Sequence, residues 1–370
     1  MSRVGIYTGG TPKKLYGGIT KNESLGGSET TAVHLAEELA KDNIVSLFTN
    51  THNHEYNGVT FIDYREFPTY GDSLDTVILT GGCGAYAPIL NHLEDTFDNV
   101  PNIIMWLHGG GTGGLYNPPS SIYDIVDTVI YQSEWQRYSY YSETQRLSGI
   151  DMGIYGCNEL ILRGFIPDEY AMRKPRESRG PYVVYASVPD RGLCAFSGIL
   201  PKLLHIYPEL GVRSYSSSTI HGWDATDQER DIIDSLRIYS NFTPYNPVPF
   251  TKVMDIIGNA IAVAFPSQCE ETMCGIAAMA MRTGTPMIAS RHSAFPETTM
   301  GSQYLVDTGN AGGRVLREYV NTDAYANDFI STLGELYDDH GKWEAESRRC
   351  YESSTEFNIS SCARQLAEYI

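Results

Sequence analysis

Short apolar runs alternate with polar, glycine-containing segments along the whole chain of 370 residues. The runs of the first half, each of the length of a buried strand, occupy residues 4–8, 44–49, 77–80, 103–107 and 129–132. Between the first two runs, residues 30–41 carry apolar side chains on one face of a predicted helix. Strands that alternate with helices predict a parallel sheet whose ligands bind at the carboxyl ends of the strands.

The pattern restarts after residues 169–180, a charged, proline-containing segment that predicts a linker between two domains. The predicted strands of the second half occupy residues 182–186, 212–218, 260–265 and 287–289. The predicted helices there occupy residues 252–258, 276–281, 322–337, 341–350 and 360–369. We expect no regular element at residues 241–250, because proline recurs there and lacks the backbone N–H. The sequence therefore predicts two α/β domains, residues 1–168 and 169–354.

The segment from Pro266 to Ser290 joins a strand end, an acidic loop and the start of a helix. Pro266 ends the preceding strand, since proline cannot donate to a strand ladder. Glu271 lies in the loop, and Gly284 is placed to end the helix in the left-handed conformation. A carboxylate and the N–H groups of a helix start at one crevice predict a site for a ligand with hydroxyl and phosphate groups.

Three further stretches carry candidate site residues, each with a structural alternative. Gly26 and Gly27 allow close approach of a ligand to the backbone, or they form a surface loop with Ser28 as the helix N-cap. His108 ends a predicted strand before the glycines at 109–114, either as a ligand-binding group or as a structural histidine. Arg191 precedes a predicted helix, where a guanidinium binds a diphosphate or is exposed on a turn.

The net charge and the cysteine content of the chain disfavour several classes of binding partner and site. The formal net charge of -18 disfavours nonspecific binding to nucleic acid or to an anionic membrane. The 7 cysteines are scattered and form no CxxC pair, which indicates neither a zinc site nor a disulfide framework, and predicts reduced thiols in a cytoplasmic protein. We expect no signal peptide, no membrane-spanning segment and no metal site.

The segment from Pro266 to Pro286 resembles the signature of the family-4 retaining glycosyltransferases. Residues 25–42, 105–109, 127–135, 160–168, 187–193 and 291–298 resemble further segments of that family in the same order. The resemblance implies the GT-B fold, in which two Rossmann-like domains with parallel sheets face a central cleft. It also implies that the C-terminal helix, residues 355–370, crosses back to the first domain.

The resemblance assigns roles to individual residues. It implies that Glu271 and His108 hold the donor sugar and that Arg191 stabilises the leaving diphosphate. The residues that it places at the donor or its diphosphate are Gly26, Gly27, Arg191, Gly192, Thr272, Met273, Cys274, Gly275 and Met279. Met279 stands where the family has a second glutamate that holds the ribose. Arg163 and Gly109 also depart from the family, which has Asn and Asp there.

The resulting hypothesis is a metal-independent, retaining glycosyltransferase without a cofactor. It moves a sugar from a nucleotide-diphosphate sugar to a glycan, lipid-linked or glycoprotein acceptor. The alternative is a catalytically degenerate partner subunit that binds a nucleotide sugar or glycan, because fold-level resemblance does not secure activity. A nicotinamide-dependent dehydrogenase is disfavoured, since the first loop lacks GxGxxG spacing. Donor sugar, base, acceptor, linkage and oligomeric state stay open.

Overall fold

The chain divides into two compact units, each with its own sheet. The computed structural model describes residues 1–70, 73–81, 89, 101–109, 125–148, 156–309 and 313–370. Unit 1 comprises Met1–Thr20, Gly26–Asp168 and Glu356–Ile370, and unit 2 comprises Lys21–Leu25 and Glu169–Thr355.

The sheet of unit 1 has the order β3-β4-β2-β1-β5-β6-β7-β8. Its strands are β1 (Arg3–Gly9), β2 (Ile44–Thr49), β3 (His54–Tyr56), β4 (Val59–Asp63), β5 (Thr76–Gly81), β6 (Asn102–Leu107), β7 (Thr128–Tyr131) and β8 (Asn158–Ile161). All pairs are parallel except β3 with β4. Consecutive residues Ile103, Ile104 and Met105 are fully buried, so both faces of the sheet are covered, as is usual for parallel sheets.

The sheet of unit 2 has the order β11-β10-β9-β12-β13-β14 and is parallel throughout. Its strands are β9 (Gly180–Ala186), β10 (Gly211–Tyr215), β11 (Phe242–Tyr245), β12 (Ala260–Phe265), β13 (Met287–Arg291) and β14 (Leu305–Asp307). In chain order this is 3-2-1-4-5-6, the arrangement of a dinucleotide-binding sheet, and the order reverses between β9 and β12. The two parallel sheets confirm the predicted α/β fold class.

Helices of both units flank these sheets. They are α1 (Ile19–Asn22), α2 (Gly27–Leu39), α3 (Phe67–Tyr70), α4 (Glu134–Ser148), α5 (Phe196–Ile206), α6 (Asp227–Leu236), α7 (Phe250–Gly258), α8 (Gly275–Arg282), α9 (Phe295–Thr298), α10 (Gly313–Val320), α11 (Asp323–Asp338), α12 (His340–Glu352) and α13 (Ile359–Leu366). The C-terminal helix α13 belongs to unit 1 and packs against α2, as the resemblance implied. An isolated parallel bridge between Ile166 and Asn358, the N-cap of α13, holds the N-terminal end of this helix against the segment that follows β8.

The expectation of no regular element at residues 241–250 is wrong, because a strand and the start of a helix occupy the two ends of this segment. Phe242–Tyr245 forms the edge strand β11, and α7 begins at Phe250. Pro244 is tolerated because β11 is the edge strand and pairs with β10 alone among the described residues, so its missing N–H does not interrupt a second ladder. The helix predicted at 30–41 instead begins at Gly27.

The helix that follows the acidic loop ends as its glycine predicts. Gly284 has a φ of 59°, and its N–H donates to Met281 O at 3.1 Å, while Thr285 N donates to Ala280 O at 2.8 Å. These two bonds form a Schellman motif. The buried guanidinium of Arg179 donates to the carbonyls of Thr283 at 2.9 Å and Gly284 at 3.1 Å. The C-terminal end of α8 is thereby fixed to the start of β9.

Candidate active site at the strand ends of unit 2

Two of the predicted site residues lie where the strand order of unit 2 reverses. Arg191 ends a short 3-10 turn, Pro189–Arg191, in the connection that follows β9. Glu271 lies in the loop at residues 266–274 that follows β12, the neighbouring strand. Because carboxyl ends of adjacent parallel strands share one edge, the topology brings these two loops together at the position where open α/β sheets bind ligands.

Arg191 and Glu271 form an ion pair. Nη1 of Arg191 donates to both carboxylate oxygens of Glu271, at 3.1 and 3.3 Å. The Glu271 side chain is 8% exposed, whereas that of Arg191 is 42% exposed. The pair therefore presents a half-exposed cation above a buried carboxylate.

The environment of the pair shifts the pKa of both members. Burial raises the pKa of the Glu271 carboxyl, and the neighbouring guanidinium of Arg191 opposes that shift. The pKa of Arg191 is raised, chiefly by the charge of Glu271. Each charge thus depends on the other, because a buried carboxylate without a cation is costly.

Gln268 links the two loops by hydrogen bonds, a role that no sequence motif indicates. Its backbone N–H donates to Arg191 O at 3.0 Å, and its side-chain Nε2 donates to Asp190 O at 2.7 Å. Its Oε1 accepts a bond from Asn321 Nδ2 at 3.2 Å. A glutamine in a polar loop is unremarkable in sequence, and its role depends on a partner 78 residues away.

Gly192 is required by the close approach of the two loops. A Cβ added at this position would lie 2.6 Å from the carbonyl oxygen of Pro266, which is backbone and cannot move aside cheaply. Gly192 therefore allows the Arg191 loop to pack against the loop that carries Glu271. Its role in this structure is steric, and its contact with a donor stays a proposal.

We expect Gly192→Ala to destabilise unit 2 by about 1–3 kcal/mol, because the added methyl group forces the two loops apart. Gly198→Ala is the matched control: Gly198 lies on the exposed side of α5, and its Cβ would meet nothing within 4 Å. That control should be neutral or more stable by about 0.5 kcal/mol, since alanine is the better helix former. Urea unfolding of both variants measures the difference, and equal midpoints would contradict the steric role of Gly192.

The other unit 2 residues for which the resemblance implies contact with the sugar donor lie in and just before α8. Glu271 is followed by Thr272 and Met273, and Cys274 is the N-cap of the helix that begins at Gly275. Met279 is 8% exposed and lies within the helix. A thioether in that position offers only a weak hydrogen-bond acceptor, in contrast to the carboxylate that the family has there.

His108 lies in unit 1, directly after β6, and is half-buried. Its Nδ1 is 3.1 Å from Nε2 of Gln132, and its ring stacks on Trp106 with centroids 5.6 Å apart. Burial lowers the pKa of His108 to about 4, so the ring is neutral near pH 7. An amide N–H at Nδ1 places the ring proton on Nε2, which makes Nε2 the hydrogen-bond donor. The glycines at 110–114 lie outside the described residues.

Gln136 supports the backbone around His108. Its Nε2 donates to Leu107 O at 3.1 Å and to Gly109 O at 2.8 Å, on either side of the histidine. Ser133 accepts a bond from Gln136 N at 2.9 Å and so caps α4. Gln132 and Gln136 carried no recognisable sequence signal.

Gly26 and Gly27 begin α2 in unit 1. Gly26 is the N-cap and has extended backbone angles that any residue adopts, and its carbonyl accepts from Thr30 Oγ1 at 2.8 Å. A Cβ at Gly27 would meet no atom within 4 Å. Ser28 is therefore not the N-cap, and the local structure does not by itself require glycine at position 27.

Among the described residues, Glu177, His340 and Glu344 place ligand atoms within 4.8 Å of one another. Glu344 is already paired with Arg173 and accepts a bond from the backbone N of Arg176 at 3.1 Å. Ion pairs explain why these three side chains lie close together. The group is separate from the loops that carry Arg191 and Glu271. No helix within the described ranges combines the length and the apolar composition needed to cross a bilayer.

No family model matches the sequence, and no curated protein matches it at a significant level. Solved structures do match. The chain is similar to sucrose-phosphate synthase from Thermosynechococcus elongatus, with a TM-score of 0.68 and 14% identity over 100% of this chain and 98% of that one. It is also similar to an α,α-trehalose 6-phosphate synthase from Burkholderia multivorans, with a TM-score of 0.66 and 12% identity over 100% and 98% of the two chains.

A third similar structure contains a nucleotide and a sugar. It is HepE from Anabaena in complex with UDP and glucose, with a TM-score of 0.62 and 12% identity over 100% of this chain and 99% of that one. Similarity at this level of identity over whole chains establishes the fold. The protein has the GT-B glycosyltransferase fold, as the resemblance implied.

Proposed function

We propose that the protein is a retaining glycosyltransferase that moves a sugar from a nucleotide-diphosphate sugar to a glycan, lipid-linked or protein acceptor, without a metal ion or cofactor. The observation that carries the proposal is the Arg191–Glu271 pair at the reversal of strand order in a GT-B sheet. The pair combines a cation for a leaving diphosphate with a carboxylate for sugar hydroxyls at one point.

Arg191 acts on the leaving group in this proposal. A guanidinium has five N–H donors, and the bonds described for Arg191 use Nη1 alone. Its other donors and its 42% exposure suit a diphosphate, on which negative charge develops as the sugar–phosphate bond breaks. The backbone N–H groups of residues 272–275 at the start of α8 add partial positive charge there. A fixed cation in this place supports metal independence.

Glu271 and His108 bind the donor sugar in this proposal. The Glu271 carboxylate accepts bonds from sugar hydroxyls, and Nε2–H of His108 donates one. No side chain has to serve as nucleophile in the same-face mechanism that the resemblance implies, in which the leaving phosphate takes the acceptor proton. Gly26 and Gly27 then provide a backbone surface for the diphosphate or the acceptor.

The second candidate is a catalytically degenerate subunit that binds a nucleotide sugar or glycan without turnover. The buried Met279 favours it, because a thioether replaces the carboxylate that would hold the ribose. The glycosyltransferase remains the preferred proposal because Arg191 and Glu271 are both present and paired.

Release of nucleoside diphosphate from UDP-, GDP-, ADP- and dTDP-sugars tests the proposal. The assay includes EDTA, simple sugar acceptors, and the variants Glu271→Ala, Arg191→Ala and His108→Ala. We expect release from one donor, unchanged by EDTA and lost in the variants. Activity that requires an added divalent cation would overturn metal independence. Binding of a nucleotide sugar without release, with acceptors present, would favour the degenerate subunit.

A further inference from the structure

The turn that follows β13 holds the backbone of Glu271 on both sides. Ser293 Oγ accepts a bond from Glu271 N at 3.0 Å, and Ala294 N donates to Glu271 O at 3.1 Å. Ser293 has a φ of 45°, a left-handed conformation that a serine rarely adopts. A strained residue that contacts a proposed site residue directs attention to what holds the turn in place.

Donor and acceptor chemistry fixes the direction of the bonds behind Ser293. A backbone N–H only donates, so the Ser293 hydroxyl oxygen accepts from Glu271 and its own proton is left for another partner. His292 Nδ1 lies 3.0 Å from that hydroxyl. It accepts the hydroxyl proton when the ring proton is on Nε2, and the contact on the other side of the ring decides that this is so.

The other side of the ring requires the same tautomer. Nε2 of His292 is 3.3 Å from the carbonyl oxygen of Ser267, and a carbonyl only accepts. The same carbonyl also accepts from Ser290 Oγ at 2.7 Å. The bonds therefore run from Glu271 through Ser293 and His292 to Ser267, and they begin and end in the loop at residues 266–274.

The surroundings keep this histidine neutral. His292 is 8% exposed and its ring lies edge-on against Phe295, with centroids 5.5 Å apart. Burial lowers the pKa of His292 to about 4, although the bond to Ser267 opposes the shift. The ring is therefore uncharged under ordinary assay conditions.

We propose that His292 and Ser293 are positioning residues for Glu271. Neutral His292, protonated on Nε2, turns the Ser293 hydroxyl so that its oxygen receives the amide of Glu271 and the carboxylate is held beside Arg191. The inference rests on the proposed function for its effect on turnover, but the bond chain itself does not depend on activity.

Two isosteric variants separate the orientation of these bonds from simple packing. In His292→Asn the side-chain oxygen occupies the place of Nδ1 and still accepts from Ser293. In His292→Gln the amide nitrogen occupies the place of Nε2 and still donates to Ser267, while the acceptor for Ser293 is lost. Both variants remove the ring, so a packing role alone predicts that they behave alike. Ser293→Ala removes the acceptor for Glu271 directly.

We expect hydrogen exchange at the Glu271 amide to accelerate about tenfold in His292→Gln and Ser293→Ala, and to stay near wild type in His292→Asn. Turnover of the donor should fall about 10- to 100-fold in the first two, mainly in kcat, because a misplaced group costs rate more than binding. Equal behaviour of the Asn and Gln variants, or unchanged exchange in Ser293→Ala, would overturn the proposal.

The ring tautomer of the wild-type protein gives a readout that needs neither substrate nor a folded variant at position 292. Nitrogen-15 NMR should show His292 neutral with its proton on Nε2, and a proton on Nδ1 would overturn the proposal. If exchange and tautomer agree with the proposal but no donor is turned over, the proposed function fails and the bond chain stands. If turnover is found but the tautomer is wrong, the reverse holds.

Discussion

Glu271→Ala is expected to lower donor turnover about 10²- to 10³-fold, the usual effect of removing one preorganised group at a reacting centre. The fold should persist, because the partner left behind, Arg191, is 42% exposed and water can solvate its charge. Glu271→Gln should lose a similar factor, since the amide keeps the shape of the side chain but not the charge that pairs with Arg191.

Glu270→Ala is the matched control for this prediction. Glu270 is the exposed neighbour of Glu271 and its replacement changes the net charge by the same amount. We expect its turnover and its thermal midpoint to match wild type. Wild-type turnover in Glu271→Ala, with an unchanged thermal midpoint, would remove Glu271 from the proposed site.

Arg191→Ala is expected to lower both turnover and stability. Turnover should fall about 10²- to 10³-fold through the loss of charge stabilisation at the diphosphate. Stability should fall by about 1–3 kcal/mol, because the Glu271 carboxylate, 8% exposed, loses its cation and its hydrogen bonds. This loss of stability distinguishes Arg191→Ala from Glu271→Ala. Removal of Glu271 leaves Arg191, whose charge is half exposed to water.

The stability loss in Arg191→Ala should depend on pH in a defined direction. Burial already raises the pKa of Glu271 above its usual value of 4.5, and removal of the guanidinium raises it further. A carboxyl with a raised folded-state pKa contributes stability at low pH that is lost as the pH rises through that pKa. The free energy of unfolding of the variant should therefore approach that of wild type at pH 5 and fall furthest below it at pH 8.

Urea unfolding at both pH values measures this effect. Arg237→Ala is the control, because Arg237 and its partner Asp234 are both about 60% exposed, and the change should stay within about 0.5 kcal/mol at either pH. Adding Glu271→Gln to Arg191→Ala should restore stability, since the uncompensated carboxylate is then gone. A stability deficit that is the same at pH 5 and pH 8, or that Gln at position 271 does not relieve, contradicts the interpretation.

The strands that the sequence predicted well are apolar and largely buried. β2 and β12 have the predicted bounds, and all residues of Ala260–Phe265 are buried. A continuous apolar run between turn residues can be recognised as a buried strand from the sequence alone. The edge strand β11 was missed because it contains Pro244 and exists only through pairing with β10. Local pattern carries no information on such pairing.

The residues of the candidate site also fall into two groups, those that the sequence indicated and those that only the structure revealed. The order of motifs identified Arg191 and Glu271, and the strand topology then placed both at one edge of the sheet. The residues that hold them, Gln268, His292 and Ser293, resemble ordinary loop residues in sequence. What sets them apart is hydrogen bonds to residues 22 to 78 positions away.

The sequence by itself determined the α/β class and supplied the charged residues of the candidate site, because burial periodicity and motif order can be read along the chain without its tertiary contacts. Only the tertiary structure decided that Arg191 and Glu271 form an ion pair, that Gly192 is needed for steric reasons, and that His292 has one defined tautomer. Each of these depends on which atoms meet across distant segments, and the direction of a hydrogen bond is fixed only when both of its partners are known.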